Sequence, residues 1–346
     1  MSEFTKLLNI LTEDAKVVIQ NLEIFDLEGK EITITGATGL LGINIIAALL
    51  LYNSEFASKK IKINAISYKK PKNFIAELFN DMSVTSFFGD ITNQDFVNKI
   101  PKANYIIHSA GYAQPSRFMD DRIKTISINT TATAQLLKRL KSKGSFLFLS
   151  SSEVYSGSAS LNSNENDIGT TDPSHPRACY IEGKRTGEAI INAARDSGIN
   201  ATSARLALAY GPGTKLDDQR VMNQLIIKGI NDEITLLDSG DAVRTYGYIS
   251  DIVTMLLNIL IKNKSQVYNI GGKSMITIKD LALMIGESLD VPVKIPDSDS
   301  YMNHAPQAVG LDLSRIEEEY DIKNYVDIDA GLTKTIDWLK TLSAIS

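Results

Sequence analysis

The sequence of 346 residues predicts an α/β protein in which a doubly wound parallel sheet precedes a smaller lobe. From Glu31 onward, short apolar runs alternate with longer stretches of helical periodicity, which is the pattern of a parallel sheet with helices on both faces. A glycine-rich turn follows the first apolar run. After Tyr210 the alternation loosens into a mixed segment, and we expect the smaller lobe there.

The composition limits the classes of partner. Apolar residues make up 43% and charged residues 22% of the chain, which is typical of a soluble globular protein. The 36 basic and 41 acidic residues give a net charge of -5, so nucleic acid is not an expected partner. The single cysteine, Cys179, and the scattered histidines, His108, His175 and His304, predict neither a disulfide framework nor a metal site.

The expected location is the cytoplasm. Residues 1–30 lack the basic-then-apolar pattern of a signal peptide. The sequence also contains no apolar run of about eighteen residues, the length that a membrane-spanning helix requires. We therefore expect no membrane partner.

The elements can be placed in chain order. Residues 1–28 predict a helical extension packed on the outside, because Leu7, Leu8, Ile10 and Leu11 recur near helical spacing, and we assign it no chemistry. The runs that predict strands are EITITG, IKINAISY, VTSFFGD, ANYIIHSA, GSFLFLSSS and NATSARLALAY. Helices are predicted at about residues 40–52, 120–142 and 177–197, and in the closing segment DAGLTKTIDWLKTL.

The glycine-rich turn lies between the apolar strand EITIT and an apolar helix. Glycines allow a tight turn and a close approach of backbone to a pyrophosphate, while the helix start offers free N–H groups and a positive dipole. An ordinary strand-to-helix turn is the alternative. The context favours a Rossmann-type dinucleotide site with contacts from Gly36, Thr38, Gly39, Leu40, Leu41 and Gly42.

This motif defines the predicted domains. Residues 29–209 and 246–271 form the dinucleotide-binding domain, and residues 210–245 and 272–346 form the substrate-binding lobe. Ligands of such sheets bind outside the carboxyl ends of the strands. We expect the functional site in the cleft at those ends.

Two further strand ends bear on the cofactor. Asp90 follows the third strand, where it either accepts a hydrogen bond from the adenine amino group or caps the next helix. At the end of the second strand, NAD-binding proteins carry an acidic residue for the ribose hydroxyls, but this chain has Ser67, followed by Lys69 and Lys70. A hydroxyl near ammonium groups suits a phosphate, so the sequence favours NADP(H) over NAD(H), with solvated lysines as the alternative.

Tyr180 and Lys184 are four residues apart in a stretch of helical periodicity, so they share one face. The ordinary pKa of tyrosine, about 10, is too high for acid–base work at neutral pH, and a neighbouring ammonium would lower it. Alone, such a pair is usually a solvated helix face. A solvated helix face is less favoured here, because Ser151, Ser152 and Glu153 end a predicted strand and are expected to point into the cleft. A polar loop remains the other interpretation of these three residues.

The chain resembles the extended short-chain dehydrogenase/reductase family, in its NAD-dependent epimerase/dehydratase group, over most of residues 31–340. The motifs that carry the resemblance are TGATGLLG, GDIT, HSAG, SSSEVYS, PRACYIEGKR and RTYGYISD. SEVY, PRACYIEGKR and LDDQRV are most similar to UDP-glucuronate decarboxylases.

The resemblance implies roles for single residues. Ser151 would hydrogen-bond a substrate hydroxyl, Tyr180 would remove its proton, and Lys184 would hold the cofactor ribose. Ser152 and Glu153 would act on the neighbouring part of the sugar. Further cofactor contacts would come from Ile91, Ser109 and Ala110, and substrate contacts from Arg117, Arg220 and Arg244. Surface ion pairs are the alternative for Arg220 and Arg244.

Departures from related patterns leave the reaction open. Dehydratases of thymidine-linked hexoses carry Asp-Glu where this chain has Ser152-Glu153, and epimerases lack the glutamate. Dehydratases of guanosine-linked mannose do tolerate a hydroxyl-rich motif with one glutamate. The loop HSAGYAQPSRF, which contains Arg117, also differs from that of the decarboxylases.

The sequence therefore predicts a homodimeric enzyme that acts on a nucleotide-diphosphate sugar. Tyr180 and NAD(P) would oxidise a sugar carbinol to a ketone, which prepares decarboxylation or elimination at the adjacent carbon. One alternative is an NADPH-dependent net reductase of a nucleotide-linked keto sugar. A second is a non-catalytic cofactor-binding sensor, which would not require Ser151, Tyr180 and Lys184 together.

Overall fold

Within the residues that the structure describes, seven parallel strands form the central sheet. This computed structural model describes residues 3–22, 24–112, 114–158, 160–296 and 310–345. The strands are β1 Glu31–Thr35, β2 Lys62–Ser67, β3 Val84–Phe88, β4 Ala103–His108, β5 Leu140–Ser151, β6 Asn162–Ser163, β7 Asn200–Leu206, β8 Leu208–Tyr210, β9 Ile234–Thr235, β10 Val243–Tyr248, β11 Val267–Ile270, β12 Ser274–Thr277, β13 Val293–Lys294 and β14 Gly310–Leu311. The helices are α1 Glu3–Gln20, α2 Leu40–Glu55, α3 Asn73–Leu78, α4 Gln94–Lys99, α5 Pro115–Asp120, α6 Arg122–Asn129, α7 Thr131–Leu137, α8 Ala178–Asp196, α9 Val221–Ile230, α10 Ile249–Lys262, α11 Ile278–Leu289, α12 Ser314–Tyr320 and α13 Ile328–Ser343.

The strand order places a crevice at the carboxyl end of β1. The sheet has the order β11-β7-β5-β4-β1-β2-β3, and each adjacent pair of strands is parallel. The chain runs outward from β1 to β2 and β3 on one side, and then crosses to β4 on the other side. Ligands of doubly wound sheets bind at such a reversal. This architecture confirms the predicted Rossmann-type α/β fold.

Helix α2 is apolar around its whole circumference, and the surrounding elements bury it on all sides. Every residue from Gly42 to Leu49 is buried. Helices α1 and α10 both pack against it. A helix of this composition is stable only when its whole circumference is covered. The N-terminal helix α1 therefore completes the core by covering part of α2.

Helix α1 is joined to distant parts of the chain by a buried carboxylate. Asp14 accepts hydrogen bonds from the hydroxyl of Tyr248 at 2.7 Å and from Nζ of Lys334 at 2.8 Å. Burial raises the pKa of Asp14, although both hydrogen bonds act to lower it. Leu7 and Leu11 on the same helix are buried as well. The predicted helix is therefore present, but the prediction that it packs on the outside is wrong, because its buried face is part of the main core.

One predicted helix is wrong in its extent. Residues 120–142 are divided among α5, α6, α7 and the start of β5. The backbone leaves helical geometry at Asp121, whose side chain accepts a hydrogen bond from the N–H of Lys124 at 3.1 Å. Strand β5 begins at Leu140 because that residue pairs with Ala103 of β4. Pairing with β4 inside the sheet therefore overrides the helical period.

The predicted strand NATSARLALAY is also divided. Ala207 still donates a hydrogen bond to the carbonyl of Ile270 at 2.8 Å, and the chain then leaves the central sheet. The next residues form β8, which joins β10 and β12 in a separate sheet. Strand β11, residues 267–270, returns to the edge of the central sheet. The domain boundaries given above remain our proposal.

Helix α13 fixes a loop that leads to the carboxyl ends of the strands. Nε1 of Trp338 donates a hydrogen bond to the carbonyl of Thr214 at 2.7 Å. The indole packs edge-on against Phe74 with ring centroids 5.0 Å apart.

Among the helices described, none is long and apolar enough to cross a membrane.

We predict that Leu11→Ala lowers the free energy of unfolding by about 2 to 5 kcal/mol, because Leu11 is 1% exposed and its loss leaves a cavity between α1 and the core. Urea unfolding followed by circular dichroism measures the change. Lys6→Ala, at an exposed position of the same helix, serves as the control. A loss below about 1 kcal/mol for Leu11→Ala would show that α1 is not part of the cooperative core.

Candidate active site

The turn after β1 has no room for side chains at two of its glycines. Gly36 has a φ of +67°, and a Cβ there would lie 2.8 Å from the backbone of Ser109 and Ala110. A Cβ on Gly42 would lie 2.6 Å from the carbonyl oxygen of Gly36. Both distances are well below van der Waals contact. The turn therefore packs its bare backbone against the end of β4.

The start of α2 offers free backbone donors beside this turn. Gly39 precedes the helix in extended geometry, and it provides no side-chain cap for the first N–H groups. The helix is 16 residues long, so its dipole adds positive potential at this end. Uncapped N–H groups next to a close-packed glycine turn form an anion site. These residues fit the pyrophosphate of a dinucleotide.

A cavity of about 840 Å³ opens beside the turn. Its volume is at the upper end of the range for small-molecule sites. Most of the predicted site residues line it: Gly36, Thr38, Gly39, Leu40, Leu41, Gly42, Ser67, Lys69, Asp90, Ile91, Ser109, Ala110, Arg117, Ser151, Ser152, Glu153, Tyr180 and Arg220. Two predicted residues, Lys184 and Arg244, lie outside this lining. The structure thus brings the motifs together in one cleft, while their individual roles remain predictions.

Buried hydrogen bonds fix the end of β4 against β1. Nδ1 of His108 lies 2.8 Å from Oγ1 of Thr35, and Nε2 lies 3.0 Å from the carbonyl oxygen of Ile128. Burial lowers the pKa of His108 to about 4, so the ring is neutral at physiological pH. Oγ1 of Thr35 also accepts a hydrogen bond from the N–H of Ala110 at 3.1 Å. His108 therefore has a structural role that sequence reasoning did not assign.

Asp90 both caps a turn and forms an ion pair. Its Oδ1 accepts hydrogen bonds from the N–H and the hydroxyl of Thr92, at 3.0 and 2.8 Å. Its Oδ2 accepts one from Nζ of Lys124 at 2.5 Å. Burial acts to raise the pKa of Asp90, but the hydrogen bonds from Lys124 and Thr92 outweigh it and lower the pKa. Lys124, which sequence reasoning missed, lines the cavity and lies 4.9 Å from the ring centroid of Tyr68.

The end of β2 carries a hydroxyl and two flanking cations. Oγ of Ser67 donates a hydrogen bond to the carbonyl of Lys69 at 2.8 Å, which closes a small turn. The side chains of Lys69 and Lys70 are exposed, and both residues line the cavity. This end of the cavity therefore has positive potential, with the pair of Asp90 and Lys124 nearby.

Tyr180 is held between an aromatic ring and a hydroxyl. Its ring stacks on Phe118 of α5, with centroids 4.7 Å apart and planes inclined by 14°. Its hydroxyl forms a hydrogen bond with Ser151. Burial raises the pKa of Tyr180 to about 12, although the hydrogen bond from Ser151 acts to lower it. Deprotonation of Tyr180 therefore requires further positive charge close to its hydroxyl.

Lys184 lies one turn farther along α8 and is buried. Its Nζ donates a hydrogen bond to the carbonyl of Leu149 at 2.6 Å. Nζ lies 5.7 Å from the ring centroid of Tyr180 and 5.1 Å from that of Phe148. Burial lowers the pKa of Lys184 to about 7. The phenol and the amine therefore share one helix face, as their spacing predicted, and the amine titrates near neutral pH.

Glu153 forms an ion pair that sequence reasoning missed. Its partner is Arg177, the residue immediately before α8. Burial raises the pKa of Glu153, while the charges of Arg177 and Arg244 act to lower it. The Arg177 guanidinium also lies 5.5 Å from the ring centroid of Phe118. One feature of the sequence could have indicated that Arg177 faces the site. It precedes Tyr180 by three residues, which places both on the same side of the helix start.

The three predicted substrate arginines have different surroundings. Arg117 is exposed and pairs with Asp217 at 2.9 Å. Arg220 pairs with Asp218 at 2.6 Å at the edge of the cavity. Arg244 donates a hydrogen bond to the preceding carbonyl at 2.7 Å and lies near the pair of Glu153 and Arg177 rather than in the lining. Ion pairs, which were the alternative for Arg220, are present there.

Comparison with known proteins identifies the family. The profile of the NAD dependent epimerase/dehydratase family matches residues 32–271, which extend from β1 to the end of β11. The chain belongs to the NAD dependent epimerase/dehydratase family. It is an enzyme of this family, as its motifs predicted. Helix α1 precedes the matched residues.

Individual members of the family are similar over most of their length. UDP-glucuronic acid decarboxylase 1 of Xenopus tropicalis is 28% identical over 322 residues, which cover 90% of this chain and 72% of the relative. The structure of dTDP-glucose 4,6-dehydratase from Streptomyces venezuelae superimposes with a TM-score of 0.78 at 19% identity, over 91% of this chain and 98% of that one. The structure of UDP-glucuronic acid 4-epimerase from Bacillus cereus, solved with UDP-glucuronic acid and NAD, superimposes with a TM-score of 0.74 at 22% identity. The superposition covers 90% of this chain and 99% of that one. These two structures support the fold.

We predict that Gly42→Ala weakens NAD⁺ and NADP⁺ binding at least about 10-fold, because the new Cβ would displace the turn that fits the pyrophosphate. Isothermal titration calorimetry with each cofactor measures the effect. Gly198→Asn is the control, since an added Cβ at Gly198 has no atom within 4 Å and asparagine tolerates the positive φ of that residue. Unchanged dissociation constants in a folded Gly42→Ala variant would contradict the assignment of this turn.

Proposed function

We propose that this enzyme oxidises a carbinol of a sugar linked to a nucleoside diphosphate and then removes carbon dioxide from the neighbouring carbon. The observation that carries the proposal is one cavity in which the pair of Glu153 and Arg177 lies beside Tyr180 and Ser151. The similarity to UDP-glucuronic acid decarboxylase 1 supports the same reaction.

In the first step, Tyr180 moves a proton. A bound nicotinamide dinucleotide supplies the acceptor for the hydride that leaves the carbinol carbon. Ser151 and Tyr180 would hold the carbinol hydroxyl, and Tyr180 would take its proton as the C=O bond forms. The hydrogen bond from Ser151 and the charges of Arg177 and Arg220 act against the burial that raises the pKa of Tyr180.

In the second step, Glu153 acts at the adjacent carbon. Oxidation turns a carboxylate on that carbon into a β-keto acid, so its C–C bond breaks as carbon dioxide leaves and the electron pair remains as an enolate. Burial raises the pKa of Glu153, which suits it to deliver a proton to that carbon. The hydride removed in the first step then returns to the ketone carbon, and Tyr180 returns its proton to the oxygen, which restores the carbinol.

Cations in the cavity fit the diphosphate of such a substrate. Arg117, Lys215 and Arg220 line the cavity, and the guanidinium groups can present paired N–H donors to phosphate oxygens. Their carboxylate partners, Asp217 and Asp218, hold the two arginines in place before the substrate binds. We therefore place the nucleoside diphosphate at this end of the cavity.

A net reductase of a nucleotide-linked keto sugar is the second candidate. The observation that favours it is the end of β2, where Ser67 with Lys69 and Lys70 replaces the acidic residue expected for NAD. Stoichiometry separates the candidates, because a reductase consumes one NADPH for each product and a decarboxylase recycles its cofactor. Mass analysis of products from a panel of nucleotide sugars, with and without NADPH, distinguishes them.

A homodimer and a cytoplasmic location are also part of this proposal. Helix α6 packs against α8 and exposes Ile123 and Ile126, whose side chains would be covered in a dimer. The single cysteine is consistent with a reducing compartment. Sedimentation equilibrium measures the oligomeric state.

We predict that Tyr180→Phe and Glu153→Gln affect different steps. Tyr180→Phe should lower overall turnover about 100-fold or more with little change in cofactor affinity, because it removes only the acid–base hydroxyl. Glu153→Gln should leave the first oxidation measurable while slowing the later step. Rapid-quench analysis that separates the keto intermediate from the final product measures both rates. Equal losses of both steps in Glu153→Gln would contradict this division.

We further propose that NADP(H) is preferred over NAD(H). Ser67→Asp should then weaken NADP⁺ binding and leave NAD⁺ binding equal or better, because a carboxylate repels the 2′-phosphate. Electrostatic effects of about 1 to 3 kcal/mol correspond to a change of about 5- to 150-fold in the ratio of the two dissociation constants. Titrations of both cofactors at one ionic strength measure the ratio. A wild-type enzyme that prefers NAD⁺ would refute the preference.

A further inference from the structure

Helix α8 carries a third buried polar group in line with the two already described. Glu188 follows Lys184 by four residues, as Lys184 follows Tyr180, so all three lie along one face. Glu188 is 7% exposed. A carboxylate is rarely buried without a specific partner or a function.

The partners of Glu188 join α8 to the strands on which the site is built. Oε1 accepts a hydrogen bond from Oγ of Ser150 at 2.5 Å, and Ser150 is the neighbour of Ser151 on β5. Arg205 of β7 donates from Nε at 3.0 Å to Oε1 and from Nη2 at 2.7 Å to Oε2. Glu188 thereby connects the helix of Tyr180 with the strand end of Ser151.

Arg205 is itself held by a second layer of contacts. Its Nη1 donates hydrogen bonds to the hydroxyl of Tyr155 at 2.8 Å and to the carbonyl of Glu165 at 3.0 Å. The hydroxyl of Tyr155 donates in turn to Oδ1 of Asn269 on β11 at 2.7 Å. The guanidinium therefore has a fixed position beneath the active site, and so does the carboxylate that it pairs with.

We propose that Glu188 is a positioning residue for Lys184: its carboxylate, fixed by Ser150 and Arg205, holds α8 in register with β5 and places a negative charge one helical turn from Lys184. The inference rests on the proposed function only for the role of Lys184 toward the cofactor ribose. The contacts of Glu188 with Ser150 and Arg205 do not depend on the proposed function.

The surroundings of Lys184 explain why such a charge matters. Nζ is in contact with the carbonyl of Leu149 and the ring of Phe148 from β5, and with Tyr180 on its own helix. Burial lowers the pKa of Lys184 to about 7, and the charge of Glu188 acts to raise it. From β4, His108 faces Lys184 as a neutral ring, because burial lowers the pKa of His108 to about 4. Arg205 of β7 is paired with Glu188.

The direct test is the protonation of Lys184 in the cofactor-free protein. We would titrate [¹³Cε,¹⁵Nζ]-lysine-labelled protein by NMR, and assign the Lys184 signal with Lys184→Arg. Glu188→Gln, which keeps the shape and removes the charge, should move the Lys184 titration to lower pH by about one unit or more. Glu188→Asp should largely restore it. Glu182→Gln is the matched control, since Glu182 lies on the same helix and pairs with Arg185 at the surface.

A second variant separates charge from packing. Arg205→Met removes the cation that offsets Glu188, so it should move the Lys184 titration to higher pH. A packing role would instead give the same loss of order in Glu188→Gln and Arg205→Met. If Glu188→Gln does not fold, the direction in which Arg205→Met shifts the Lys184 titration still distinguishes an effect of charge from an effect of packing. An unchanged Lys184 titration in both variants, or a downward shift in Arg205→Met, would overturn the proposal.

Cofactor titrations distinguish this proposal from the proposed function. The dissociation constants of NAD⁺ and NADP⁺ should rise about 10-fold in Glu188→Gln at pH 8, where Lys184 is neutral, and recover at pH 6. A shifted Lys184 titration with cofactor binding that does not follow it would support the effect of Glu188 and refute the ribose contact. A loss of binding that is equal at both pH values and shared with Glu188→Asp would refute the positioning role.

Discussion

The close approach of two neighbouring strand ends is the constraint on which the cavity depends. The turn at Gly36 lies against the backbone of Ser109 and Ala110 with no space for a side chain between them. Strand order makes β1 and β4 neighbours at the point where the winding of the sheet reverses. The buried pair of Thr35 and His108 then fixes the two ends to each other. The uncapped start of α2 can face a phosphate only because this backbone contact leaves the site open.

Burial of ionisable groups gives the other half of the cavity its chemistry. Tyr180, Lys184 and Glu153 all have pKa values that are displaced toward their neutral forms, and burial is the main cause in each case. Each is then partly restored by a charge or a hydrogen bond placed beside it, from Ser151, Glu188 or Arg177. The net effect moves the pKa values of Lys184 and Glu153 toward neutral pH, whereas that of Tyr180 moves away from it.

The sequence predicted those parts of the molecule that local spacing defines. The turn at Gly36, the face shared by Tyr180 and Lys184, and the alternation of strands and helices all depend on residues within a few positions of one another. The pairs of Glu153 with Arg177 and of Glu188 with Arg205 join separate elements, 24 and 17 residues apart along the chain. Helical periodicity gives no information about such pairs. It also failed over residues 120–142, where pairing with β4 determines the start of β5.

The contact between Asp14 and Lys334 also has a consequence for how the chain reaches its native state. These residues are 320 positions apart, so this contact can form only after nearly the whole chain has been synthesised. Until α13 is in place, Asp14 of α1 lacks its contact with Lys334, and α2 depends on α1 for cover. During synthesis the apolar surface of α2 is therefore exposed for a long interval. Slow folding through an aggregation-prone intermediate is the expected kinetic result of this topology.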